Sequence, residues 1–105
     1  MAYDLKCIEN LLETLSNAHG VSGHEESLQE ILKKKLEPYT NEGKTDELGN
    51  LIATKYGNKP SVMLCAHMDE VGMSTSYITK EDGFLHFISI GDLFDQTLLN
   101  QLVIF

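Results

Sequence analysis

The sequence predicts an α/β fold that passes into antiparallel β-structure, and three observations carry the prediction. Apolar residues recur at helical spacing through the first third of the chain. An unbroken apolar run, Val62-Met63-Leu64-Cys65-Ala66, ends abruptly in His67-Met68-Asp69-Glu70. Beyond Gly72, two β-type runs flank a glycine-containing turn. At 105 residues the chain is long enough for one domain that buries roughly two-thirds of the surface its unfolded form exposes.

From Asp4 to Ala18, Leu5, Ile8, Leu11, Leu12, Leu15 and Ala18 form one apolar stripe, with Lys6, Glu9, Asn10 and Glu13 on the other side, so this segment reads as an amphipathic helix. In the following Gly20-Val21-Ser22-Gly23-His24-Glu25, Ser22 and Glu25 have capping-box spacing and predict a second helix starting there. That helix would bury Leu28, Ile31, Leu32 and Leu36 and stop at Pro38. Lys33-Lys34-Lys35 fall near its C-terminus, where cations suit the helix dipole, and read as a solvated face.

After Tyr39 the pattern becomes short strands, with Glu47-Leu48-Gly49-Asn50 as a turn and Leu51–Tyr56 as a β-rich run. Gly57-Asn58-Lys59-Pro60 forms another turn. The apolar run at 62–66 lacks alternation, as a central strand covered on both faces does. Thr75–Thr79 and Phe84–Ile90 around Lys80-Glu81-Asp82-Gly83 predict a hairpin. This change of pattern divides the chain into an α/β portion, residues 1–72, and the start of an inserted antiparallel β subdomain, residues 73–105. The closing Leu102-Val103-Ile104-Phe105 reads either as a strand cut short within a longer protein or as a C-terminal strand docked in a small sheet.

With 16 acidic and 8 basic side chains the net charge is −8, which repels a phosphate backbone and argues against nucleic acid as a partner. Cys7 and Cys65, apart in sequence and in apolar surroundings, read as reduced core residues rather than a disulfide framework or a zinc knuckle. The opening Met1-Ala2-Tyr3-Asp4-Leu5-Lys6 lacks the basic and apolar regions of a secretory signal, and no run of about 18 apolar residues occurs. The expectation is a cytoplasmic chain with no membrane partner.

Chemistry is expected where the apolar strand ends, because ligands of open α/β sheets bind beyond the carboxyl ends of strands. A neutral imidazole is a common zinc or cobalt ligand, and a nearby carboxylate can orient it and raise its basicity. His67 and Asp69, two residues apart, share one side of an extended segment and could converge on one site, with Glu70 pointing away. Standing alone, a His-x-Asp is more often a hydrogen-bonded histidine at a strand end than a ligand. His19, His24 and His86 read as surface or loop residues, and neither a nucleophile elbow nor a phosphate-binding glycine loop is present.

Taken together, Gly20-Val21-Ser22-Gly23-His24-Glu25, Asp46-Glu47-Leu48-Gly49-Asn50-Leu51 and Ala66-His67-Met68-Asp69-Glu70-Val71-Gly72 resemble, in order and spacing, the tetrahedral and glutamyl (deblocking) aminopeptidases of the dinuclear zinc or cobalt metallopeptidases. The resemblance implies the N-terminal portion of a zinc-peptidase-like α/β/α catalytic domain, followed by the start of an inserted antiparallel β-barrel-like subdomain that helps subunits associate. It implies that His67 ligates one of two divalent metal ions, zinc or cobalt, and that Asp69 is the catalytic-site carboxylate orienting it. The complete enzyme would remove N-terminal residues from peptide substrates through a metal-activated water, and its relatives form homo-oligomers. Leu102, where the family often has a basic residue, and Gly91-Asp92, where it often has a glycine pair, depart from the pattern away from this site.

Family members are several times longer, and one histidine with one carboxylate falls short of the three or four protein ligands zinc takes. The expectation is therefore an incomplete N-terminal piece, inactive by itself. The alternative is a catalytically inactive interaction module that pairs through exposed β segments. Glycoside hydrolysis needs two carboxylates facing each other across a sugar, which the adjacent Asp69 and Glu70 do not offer.

Overall fold

The computed structural model describes residues 4–104, so Phe105 of the closing apolar run and Met1, Ala2 and Tyr3 of the opening segment lie outside the described residues. The chain divides into two compact units. The first comprises the segment up to Gly20 and His24–Met68; the second comprises Val21–Gly23 and the segment from Asp69 onward.

In the first unit, helix α1 spans Leu5–Ser16, and its start is fixed by Asp4, whose carboxylate accepts from the Lys6 amide at 3.1 Å. At its end the Asn17 amide and side chain both donate to the Glu13 carbonyl, at 3.1 and 2.9 Å, which answers an orphan acceptor of the last turn. The apolar stripe is present, yet none of the helix is buried.

Helix α2 spans Glu26–Leu36, starting later than the Ser22 cap predicts. Its N-cap, Glu25, makes no side-chain capping bond. The helix does end ahead of Pro38, in a single 3-10 turn at Glu37–Tyr39, as the missing proline N–H requires. Of the four predicted core positions only Leu28 is buried, at 8% exposure; Ile31 and Leu32 are half-buried and Leu36 is exposed. Leu28 packs against Gly20, where a Cβ would lie 2.9 Å from Leu28 Cδ2. The Ser27 hydroxyl donates to the His19 carbonyl at 2.7 Å, tying the first turn of α2 to the end of the α1 segment.

Strands β1 (Glu42–Thr45) and β2 (Leu51–Thr54) pair antiparallel, Glu42 opposite Thr54 and Thr45 opposite Leu51. Asp46 organises the turn between them: its carboxylate accepts from the Leu48 and Asn50 amides and from the Asn50 side chain, at 3.0, 2.8 and 2.8 Å. Gly49, at φ +85°, supplies the left-handed residue, and its carbonyl accepts from Gln29 of α2 at 2.7 Å.

The predicted central strand at 62–66 is not formed. No strand is assigned there, and Val62, Met63 and Leu64 are 82%, 85% and 93% exposed. A strand needs a neighbour to take its amides and carbonyls, and among the described residues the only sheets are two two-stranded hairpins, each paired with itself. Cys65 is consequently exposed rather than buried, and Cys7 on α1 is exposed as well; both are free thiols.

In the second unit, β3 (Gly72–Ile78) and β4 (Leu85–Ile90) form the predicted hairpin, Gly72 opposite Ile90 and Ile78 opposite Leu85. The register shifts between Thr75 and Tyr77, and Ser76 at the shift donates its hydroxyl to the His86 carbonyl at 3.1 Å. The bulge leaves Tyr77 opposite His86, and their rings stack with centroids 4.1 Å apart and planes at 9°. At the turn the Thr79 hydroxyl donates to Asp82, and the Phe84 amide donates to both Thr79 Oγ1 and Asp82 Oδ1. The fold is thus mixed α/β with an antiparallel β segment, but no closed barrel occurs among the described residues. Residues 101–104 carry no strand either, so the described part of the closing apolar run is not docked in a sheet.

Candidate functional site

Glu70 follows the segment 62–69, which forms no strand, and makes a parallel bridge with Val21; Gly72 begins β3 two residues later. The bridge is possible because Gly72 has no side chain: a Cβ there would lie 2.5 Å from Val21 Cγ2 and 2.8 Å from Val21 Cγ1. Beside the bridge the Ser22 amide donates to the Glu70 carbonyl at 3.4 Å. Ser22 then donates its hydroxyl to Asp69 Oδ2 at 2.6 Å, in a half-buried setting. The capping role assigned to Ser22 from its spacing is not taken up, because α2 starts only at Glu26 with Glu25 as its N-cap; the Ser22 hydroxyl serves Asp69 instead.

His67 is exposed and belongs to the first unit, which ends at Met68, while Asp69 is half-buried and belongs to the second. Among the described residues no group of three or more His, Cys, Asp or Glu side chains is placed to hold a metal ion. The donors among the described residues therefore do not complete a dinuclear metal centre by themselves. His19 and His24 are exposed, as their loop positions predict, and His86 is exposed in its stack with Tyr77.

Electrostatic perturbation lies in the turns. The Asn50 side chain, then the Asn50 and Leu48 amides, hold the Asp46 carboxyl below its ordinary 3.8. The Thr79 hydroxyl and the Phe84 amide do the same for Asp82. Glu42, which accepts from the Tyr56 hydroxyl at 3.1 Å, raises the Tyr56 phenol by that bond and by its charge. In the first unit an open concavity of about 380 Å³ lies between the end of α2 and the β1–β2 hairpin, with Lys33, Lys34, Glu37 and Glu42 among its lining residues. Neither His67 nor Asp69 lines it.

Sequence reasoning missed the role of Ser22. The available signal was Gly72: a glycine at a strand start marks the close approach of another segment, here Val21.

A family profile described as M42 glutamyl aminopeptidase matches residues 49–105. The putative aminopeptidase FrvX of Escherichia coli is 43% identical over 93 residues, which cover 89% of this chain and 26% of that protein. The lysyl aminopeptidase of Pyrococcus furiosus is 36% identical over 96 residues, covering 90% of this chain and 28% of that protein. Among solved structures, the TET aminopeptidase of the marine sediment archaeon Thaumarchaeota archaeon SCGC AB-539-E09 superposes with a TM-score of 0.82 at 36% identity, over 93% of this chain and 28% of that one. The chain spans little more than a quarter of the length of these relatives. No helix among the described residues is long and apolar enough to cross a membrane.

Proposed function

The chain belongs to the M42 glutamyl aminopeptidase family, and on that premise we propose that it forms part of a cytoplasmic, metal-dependent aminopeptidase that removes N-terminal residues from peptides. In this reading residues 1–72 are the first part of the catalytic domain and residues 73–105 begin the inserted subdomain through which copies associate. His67 is a ligand of one of two divalent metal ions, zinc or cobalt, and Asp69 orients its imidazole. The observation that carries the reading is the family match over 49–105, which contains the whole Ala66–Gly72 motif. When bound, such a metal pair supplies an activated water and a Lewis acid for the scissile carbonyl. In this reading the further ligands and the general base come from the rest of the enzyme, since one histidine with one carboxylate falls short of the three or four protein ligands zinc takes. By itself the chain is inactive.

A second reading, a non-catalytic interaction module, is favoured by one observation: the apolar segment Val62–Leu64 stands exposed and without a strand partner among the described residues.

One experiment separates the two. The chain is grafted in place of the matching stretch of Pyrococcus furiosus lysyl aminopeptidase and assayed on aminoacyl-p-nitroanilides with Zn²⁺ or Co²⁺, beside a His67→Ala graft and the isolated chain. Hydrolysis by the graft, its loss in His67→Ala and silence of the isolated chain are expected. Full activity in the His67→Ala graft removes His67 from the site. Hydrolysis by the isolated chain that His67→Ala abolishes shows a site complete without further residues.

A further inference from the structure

Three contacts in the second unit depend on one another. Gly72, lacking a Cβ, admits the Val21 side chain. Val21, seated there, bridges Glu70. The bridge sets Ser22 beside Asp69, with its amide on the Glu70 carbonyl at 3.4 Å and its hydroxyl on Asp69 Oδ2 at 2.6 Å. A hydroxyl-to-carboxylate distance of that size belongs to the short, charge-assisted class, about twice as strong as a neutral bond.

Ser22 also does not take up the role its spacing offers. In the sequence Ser22 and Glu25 offer a capping box, and a serine cap stabilises a helix by about 1 kcal/mol. Helix α2 instead starts at Glu26 without a side-chain capping bond. A local rule given up where a motif carboxylate gains a partner is the pattern expected at functional sites.

We infer that Ser22 is a positioning residue for Asp69: its hydroxyl holds Oδ2 and thereby helps confine the carboxylate to one rotamer. This deepens the proposed function and rests on it, since the purpose of a fixed Asp69 is to orient His67. Ser22 acts only through Asp69. Gly72 belongs to the same device because it makes the room in which Val21, and hence Ser22, is seated.

The test reads the carboxylate directly in the 105-residue chain, with neither substrate nor metal added. Three-bond couplings from the Asp69 backbone ¹⁵N and ¹³C′ to Cγ are measured in the native chain, Ser22→Ala and Ser22→Thr, together with amide exchange at Ser22 as a check that the bridge to Glu70 survives. The native chain is expected to show the couplings of a single staggered rotamer. Ser22→Ala is expected to move them toward the rotamer average with the Ser22-position amide still protected, and Ser22→Thr, which keeps the hydroxyl, to restore them. Averaged couplings in the native chain, unchanged couplings in Ser22→Ala, or a Thr variant that fails to restore them while its amide stays protected each overturn the inference. Loss of protection in Ser22→Ala alone leaves the decision to the Thr variant. Failure here leaves the aminopeptidase reading standing, and failure of the His67→Ala graft leaves the Ser22–Asp69 bond standing.

Discussion

Val21 occupies the space that a side chain on Gly72 would take, with Val21 Cγ2 only 2.5 Å from where that Cβ would be. Both atoms cannot be kept at that separation. Gly72→Ala is expected to displace Val21, destabilising the second unit by about 1–3 kcal/mol, the usual cost of overpacking. Hydrogen exchange of the Ser22 amide, which donates to Glu70, should accelerate with it. Native exchange rates in Gly72→Ala would show that the contact relaxes freely.

Acid should loosen both turns. Asp46 and Asp82 have folded-state pKa values below the ordinary 3.8. A depressed carboxyl contributes stability that is fully present above its unfolded value and is lost as the pH falls through its folded value. The amide resonances of Leu48, Asn50 and Phe84, which donate to these carboxylates, should hold down to about pH 4 and shift below it. Asp46→Asn should remove the response at Leu48 and Asn50 and leave that at Phe84.

Alkali should act on the first hairpin in the opposite sense. The Tyr56 phenol is raised above 10.0 by Glu42. A raised group contributes stability below its unfolded value and loses it as the pH rises through the folded one. Tyr56 fluorescence followed against pH should place its ionisation above that of free tyrosine, and Glu42→Gln should bring it back.

In the grafted enzyme, Asp69→Asn is expected to lower hydrolysis about 10–100-fold, the usual effect of removing a carboxylate that orders a metal-bound histidine. His67→Ala should cost more. An Asp69→Asn graft as active as its parent would take Asp69 out of the site.

Cys7 and Cys65, free and exposed, should both react with a disulfide reagent in the native chain without denaturant. Protection of Cys65 alone would show that something covers its segment.

What the sequence disclosed well was local. The α1 stripe with Asp4 before it, the Asp46-to-Asn50 turn and the hairpin around Lys80–Gly83 are each decided within a dozen residues by periodicity, capping or turn chemistry. The family motif around His67 was equally legible. Val62–Ala66 was misread because an apolar run states that a strand could be covered on both faces, not that partners for it are present. Ser22 was misread for a related reason: capping spacing is a local pattern, whereas the carboxylate that takes the Ser22 hydroxyl lies 47 positions away. The Tyr77–His86 stack likewise depends on a bulge at Ser76 that no alternation pattern announces.

The exposed Val62–Leu64 segment also has a bearing on solubility. Runs that combine apolar and β-prone residues without charge are the stretches through which chains aggregate, and natural sequences restrain them with proline or charge on either side. Here Lys59-Pro60 precede the run, and Asp69-Glu70 close it. The carboxylate proposed to orient His67 is thereby also a gatekeeper, so replacing it would remove a brake on self-association along with whatever it does for the imidazole two residues before it.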